Sequence, residues 1–189
     1  MELPEAIALI DHPYLHDSAA PKRWADLGAG RGLFSRALVR LVGAGITLHL
    51  VDKAGPGDIG DPGEGVRVLR HTADFERDPP EAWAAGPLDG VLMANSLHYV
   101  ADKEAFLGRL RSLLAPGGVL VVVEYNTEIA VSRWVPYPLS QPRAVELMRG
   151  AGFTGIERIG SRPSAFGHAP IYSVIGRLGR QRPSRRGGD

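Results

Sequence analysis

The sequence predicts an α/β fold, a mostly parallel sheet with helices on both sides, and three observations carry that prediction. Short apolar runs alternate along the chain with segments of helical periodicity, the pattern of βα units that builds a parallel sheet. The first such run ends in a glycine-rich turn, Asp26-Leu27-Gly28-Ala29-Gly30-Arg31-Gly32, which opens an amphipathic segment. A second acid, Asp52, closes the next apolar run twenty residues after Gly32.

Each element follows from local pattern. Leu3, Ala6, Ile7 and Ile10 recur at helical spacing, so residues 3–11 form a short helix that His12-Pro13 ends. Residues 23–27 are the first strand. Leu33, Phe34, Ala37, Leu38 and Leu41 share one helical face, and Gly43 and Gly45 stop that helix. Residues 46–51 are the second strand. Residues 54–65 hold five glycines and two prolines, which support a turn or two at most. A third strand covers 66–69, a short helix 79–85 starts at Pro79-Pro80, and a fourth strand covers 88–94. Asp102 caps a helix with Phe106, Leu107, Leu110, Leu113 and Leu114 on one face, and Pro116-Gly117-Gly118 ends it. Residues 119–123 are apolar on both faces, as in a central strand. Ser140 caps a further helix that runs to Gly150, and strands at 153–159 and 171–175 complete the chain. No repeat or domain boundary interrupts this order, so residues 1–177 read as one domain.

The glycine turn points to a nucleoside-containing ligand. Glycine lets the backbone turn sharply and approach a ligand closely, and the N-terminus of the next helix offers free N–H groups. An acid at the next strand tip can accept from both ribose hydroxyls. A dinucleotide fingerprint requires a third glycine at the position of Leu33, so NAD is disfavoured.

The spacing acid-x-G-x-G-x-G from Asp26 to Gly32 resembles motif I of the class I S-adenosylmethionine-dependent methyltransferases. Pro87–Asn95 resembles that family's fourth strand. Leu113–Glu124, with its L-x-P-G-G-x-L pattern, resembles the turn into the fifth. The three motifs stand in family order, and the likeness covers about residues 22–177, as in small single-domain members of the methyltransferase type 11/12 kind. The resemblance implies a Rossmann-like doubly wound sheet of seven strands, order 3-2-1-4-5-7-6, with strand 7 antiparallel. It implies S-adenosylmethionine as methyl donor and S-adenosylhomocysteine as product. The missing helix in 54–65 departs from the family and leaves the wall beside the adenosine pocket open.

Carried over residue by residue, the likeness sets Asp26 toward the ligand's ammonium side and Gly28, Gly30 and Gly32 along its methionine part. It sets Asp52 at the ribose, Lys53 along the adenine, and Asp74-Phe75 at the adenine edge. Asn95 and Ser96 follow the fourth strand, where the transferred methyl lies. Each has a plainer role to set against this: a strand-end acid bonded to backbone for Asp26, a solvated lysine for Lys53, a turn cap for Asp74. His98 is the candidate base for a hydroxyl or amine acceptor, against a packed histidine. Glu124 supplies another candidate. Tyr99, Tyr125, Asn126, Trp134 and Tyr137 are candidate acceptor contacts, because an aromatic wall suits a flat or cationic small molecule.

Composition narrows the partners. The net charge is +1 and cysteine is absent, so disulfides, thiolate metal sites and cysteine nucleophiles are excluded, and no metal is expected. No apolar run is long enough to span a membrane, and the start lacks the form of a signal peptide; a cytoplasmic protein is the expectation. Residues 178–189 read as a basic flexible tail. The expected activity is methyl transfer to oxygen or nitrogen of a small-molecule acceptor, with nucleic acid and membrane disfavoured and self-association left open. The alternatives are an RNA methyltransferase using the basic tail, an NAD(P)-dependent oxidoreductase and a non-catalytic cofactor-binding scaffold.

Overall fold

A computed structural model describes residues 1–16, 22–84, 86–131, 133–164 and 169–179. Strands β1 (Lys22–Leu27), β2 (Ile46–Asp52), β3 (Arg67–Thr72), β4 (Leu88–Ala94), β5 (Leu114–Tyr125), β6 (Phe153–Arg162) and β7 (Ile171–Leu178) form one sheet. Its order is β3-β2-β1-β4-β5-β7-β6. The first five strands are mutually parallel; β7 runs antiparallel to both β5 and β6. This is the arrangement that the sequence resemblance implied.

Helices α1 (Leu3–Ile10), α2 (Pro13–His16) and α3 (Leu33–Val42) cover one face of the sheet. Helices α4 (Lys103–Leu113) and α5 (Gln141–Gly150) cover the other. Two apolar layers result. Ala6, Leu9, Leu38 and Val42 pack on Leu48, Leu50 and Val121 on the first side. Phe106, Leu107, Leu110 and Leu147 pack on Val91, Met93 and Val122 on the second. The strands between them are buried on both faces, so they read as continuous apolar runs rather than alternating ones.

The boundaries differ from the sequence reading in instructive places. Pro13 does more than end α1: it occupies the first position of α2, where its fixed φ and missing N–H cost nothing. The segment 79–85 narrows to one 3-10 turn, Pro80–Ala82. The Pro116-Gly117-Gly118 stretch lies within β5 as an irregularity, with Gly117 at φ 83°; Leu114 pairs with Leu88 before a register shift. No helix forms between β2 and β3. β7 continues to Leu178, which is buried, and Gly179 donates to the Gly152 carbonyl at 3.1 Å. The first residue of the expected tail, Leu178, therefore belongs to β7, and Gly179 follows it; residues 180–189 lie outside the described residues. Among the described residues, no helix is long and apolar enough to cross a membrane.

Candidate cofactor and acceptor site

The sheet order reverses between β1 and β4, so the connections leaving these strands diverge to opposite faces. The carboxyl ends of such a pair frame the crevice where α/β sheets bind ligands. Most of the candidate residues collect there.

The glycine turn adopts left-handed φ at Gly28 (80°), Gly30 (51°) and Gly32 (77°), but the three glycines have different reasons. A Cβ on Gly28 would lie 2.4 Å from the Ser96 Cβ, and one on Gly32 would lie 2.3 Å from Ile59 Cγ2. These two glycines let the chain pack on itself. At Gly30 a Cβ would meet no atom closer than the Gly28 carbonyl at 4.0 Å, so this position alone of the three faces open space.

Asp52 holds the turn. Its Oδ2 accepts from Gly30 N and its Oδ1 from Ala54 N, both at 2.9 Å. Each oxygen keeps further accepting capacity. The 53–66 segment folds back over the turn, with Gly57 N donating to Gly30 O at 2.7 Å and Ile59 buried beside Gly32.

Asp26 is 1% exposed. Ser35 Oγ donates to its Oδ2 at 2.5 Å, and its Oδ1 has no partner among the described residues. Burial pushes this carboxyl up to about 7; the Ser35 hydroxyl opposes the shift and the nearby charge of Asp52 adds to it. The folded value lies above the unfolded one, so the native state holds the extra proton between pH 3.8 and about 7. Stability should therefore fall by a few kcal/mol as pH rises through that window and level off above it. Urea unfolding across pH should show this slope in the parent and lose it in Asp26→Asn; an identical slope in both would remove Asp26 as its source.

Asp74 is committed to its own turn. Its Oδ1 accepts from Glu76 N at 3.0 Å and its N donates to Asp78 Oδ2 at 2.8 Å. The neighbouring Phe75 reaches the glycine turn, 3.5 Å from where a Gly28 Cβ would be, and packs edge-on against Phe106. Ser96 is buried and donates to Leu27 O at 2.6 Å, tying the end of β4 to that of β1. Asn95 has φ 53°, the one left-handed non-glycine among the described residues. Its side-chain Oδ1 is buried without a partner among the described residues. Asparagine is one of the few non-glycine residues that visits this conformation routinely, and residues held there cluster at active sites and ligand clamps.

His98 and Glu124 form a buried dyad, 2% and 0% exposed. Glu124 Oε2 lies 2.7 Å from His98 Nδ1, and Glu124 Oε1 accepts from the His98 backbone N–H at 3.0 Å. The carboxylate fixes both the ring and its backbone, with the proton on Nδ1. His98 Nε2 is buried without a partner among the described residues, an arrangement that costs about 1–3 kcal/mol.

The outer residues surround this dyad unevenly. The Tyr99 ring lies 4.3 Å from that of His98 and is 42% exposed; the Tyr125 ring lies at 6.3 Å. Burial raises the Tyr99 phenol, and the charges of Glu124 and Asp52 raise it further. Lys53 reaches from the end of β2 to within 5.8 Å of the Tyr99 ring centre. Asn126 Oδ1 accepts from Gln141 N at 2.9 Å at the start of α5, while Ser140 Oγ donates to Glu128. Tyr137 N donates to His98 O at 3.0 Å, which ties the 127–140 segment to the site. Trp134 is 75% exposed on that segment.

Lys103 escaped the sequence reading. It is buried, and its ammonium donates to Val100 O and Tyr137 O, both at 2.8 Å, clamping the turn that carries His98. The available signal was a lysine in the first turn of a helix, where its charge opposes the helix dipole. Glu124 had a clearer one: an acid that continues the apolar run Val119–Val123.

A family model described as a methyltransferase domain matches residues 4–158. The chain belongs to that family. It is 33% identical over 130 residues to the ubiquinone biosynthesis O-methyltransferase of Caulobacter sp. (strain K31), covering 60% of this chain and 49% of that one. It is 31% identical over 109 residues to the hybrid PKS-NRPS synthetase lepA of Aspergillus flavus, covering 54% of this chain and 3% of that one. The chain thus spans half or less of these relatives. A Burkholderia thailandensis 1,6-didemethyltoxoflavin-N1-methyltransferase, solved with S-adenosylhomocysteine, shares the fold with a TM-score of 0.62 at 21% identity, over 94% of this chain and 78% of that one.

Proposed function

We propose that this methyltransferase alkylates a hydroxyl oxygen, phenolic or enolic, of a small molecule, with His98 as general base. The observation that carries the reading is the buried His98–Glu124 dyad. The sulfonium of the methyl donor supplies an already activated methyl group, so positioning supports much of the rate. An amine acceptor brings its own lone pair. A hydroxyl becomes a strong nucleophile as its proton leaves, and His98 Nε2 would take that proton. Glu124 would then face the imidazolium and offset its charge.

The residues present fit the donor. Asp26 Oδ1 and Asn95 Oδ1 are buried acceptors without partners at the ends of β1 and β4, suited to the ammonium of its amino acid end. Asp52 retains accepting capacity for the ribose hydroxyls, Gly30 leaves room for close approach, and Phe75 presents an apolar face beside Gly28. Lys53, Tyr99, Tyr125, Trp134 and Tyr137 would contact the acceptor or cover the cleft. Ser96 and Asn126 support the site through the bonds described above.

Two experiments test this reading. Gly30→Val should abolish S-adenosylhomocysteine binding by calorimetry at a folding cost of about 1–2 kcal/mol for the left-handed backbone. Gly28→Val should instead lower the melting temperature sharply by striking Ser96. Retained binding in Gly30→Val would place the ligand elsewhere. Incubating the enzyme with methyl-labelled donor and a panel of phenols, enols and amines should yield O-methyl product; exclusive N-methylation would overturn the oxygen assignment.

A further inference from the structure

A second cavity, of about 380 Å³, opens at the opposite edge of the sheet. It lies where β1 and β5 begin and β7 ends, and the methyl-transfer chemistry does not use it. Tyr14, Lys22, Trp24, Asp89 and Arg177 supply its larger polar and aromatic walls, beside the Pro116–Gly118 stretch. Gly117 has φ 83°, and a Cβ there would meet nothing within 4 Å.

The lining is unbalanced in charge. Asp89 already accepts from Arg23 N at 2.7 Å. The Arg177 guanidinium carbon lies 3.8 Å from the centre of the Tyr14 ring. A guanidinium held over a ring keeps its in-plane N–H edge for an oxyanion. Among the described residues, neither Lys22 nor Arg177 forms an ion pair. Among the described residues, two buried donors of these lining side chains, Arg177 Nε and the indole Nε1 of Trp24, also lack an acceptor; Trp24 is 1% exposed. Leaving such groups without an acceptor is costly.

We propose that this cavity is a second binding site, for a small molecule that carries a phosphate group. Two cations facing one occupied carboxylate suit a dianion, and the volume falls within the range of about 300–1,000 Å³ usual for small-molecule sites. The site stands apart from the cofactor cleft, so occupancy of the two is separable.

The test uses the full chain labelled with ¹⁵N. The protein has three tryptophans, so three indole N–H resonances report, and Trp24→Phe assigns one of them. Inorganic phosphate, titrated against chloride at constant ionic strength, should move the Trp24 resonance saturably and leave those of Trp83 and Trp134 in place. Lys22→Gln and Arg177→Gln should each weaken that binding by about tenfold without changing S-adenosylhomocysteine affinity. Should Arg177→Gln fail to fold, Lys22→Gln carries the test alone. A shift that chloride reproduces, or saturation that survives substitution of the cations, would overturn the site. Acetate binding as tightly as phosphate would overturn the phosphate assignment.

Discussion

Replacing His98 with alanine should lower turnover by about 10²–10⁴-fold and leave S-adenosylhomocysteine affinity nearly unchanged. The size follows from losing proton transfer in a step where donor activation and positioning remain. Geometry supports the split: Nε2 is the unpartnered end of the ring, and Nδ1 is held by Glu124 at 2.7 Å. Glu124→Gln retains an acceptor for the His98 backbone N–H but removes the charge that faces the imidazolium, so it should lower kcat with a native melting curve. His98→Asn keeps a polar side chain of similar reach and no base, and should behave like His98→Ala. Full turnover in both would remove His98 from the chemistry and leave positioning as the main contribution.

Asp52→Ala should weaken S-adenosylhomocysteine binding by about 3 kcal/mol or more, since two charge-assisted bonds to ribose are worth about 1.5–3 kcal/mol each. The same carboxylate accepts from Gly30 N and Ala54 N, so the ligand-free variant should also lose about 1 kcal/mol of stability. The two losses separate experimentally: calorimetry reads the first and urea unfolding without ligand reads the second. A dissociation constant unchanged by the substitution would place the ribose away from Asp52. A binding loss no larger than the folding loss would mean that Asp52 acts by holding the turn.

The alternation of apolar runs and helical faces located the strands, most plainly where burial on both sides leaves an uninterrupted run such as Val119–Val123. The acid-x-G-x-G-x-G spacing marked the cofactor edge for a related reason: left-handed φ at Gly28, Gly30 and Gly32 is a local demand that a side chain cannot meet cheaply. Strand limits were less legible. Pairing partners far along the chain extended β5 back to Leu114 and β7 out to Leu178.

What each glycine faces was decided by residues remote in sequence. Ser96 fills the space at Gly28 and Ile59 that at Gly32, which leaves Gly30 open. The dyad also needed the tertiary fold. His98 and Glu124 are 26 residues apart and meet because β4 and β5 are parallel neighbours whose ends lie side by side. Asn126 is a third case: its place after β5 suggests an acceptor contact, and the fold adds a bond that its position alone does not reveal, from the Gln141 N–H at the start of α5 to its side-chain carbonyl. Local pattern determined which segments become strands and helices and where the chain must turn. Which polar atoms end up paired, and which stay free for chemistry, depended on contacts between distant segments that no local pattern encodes.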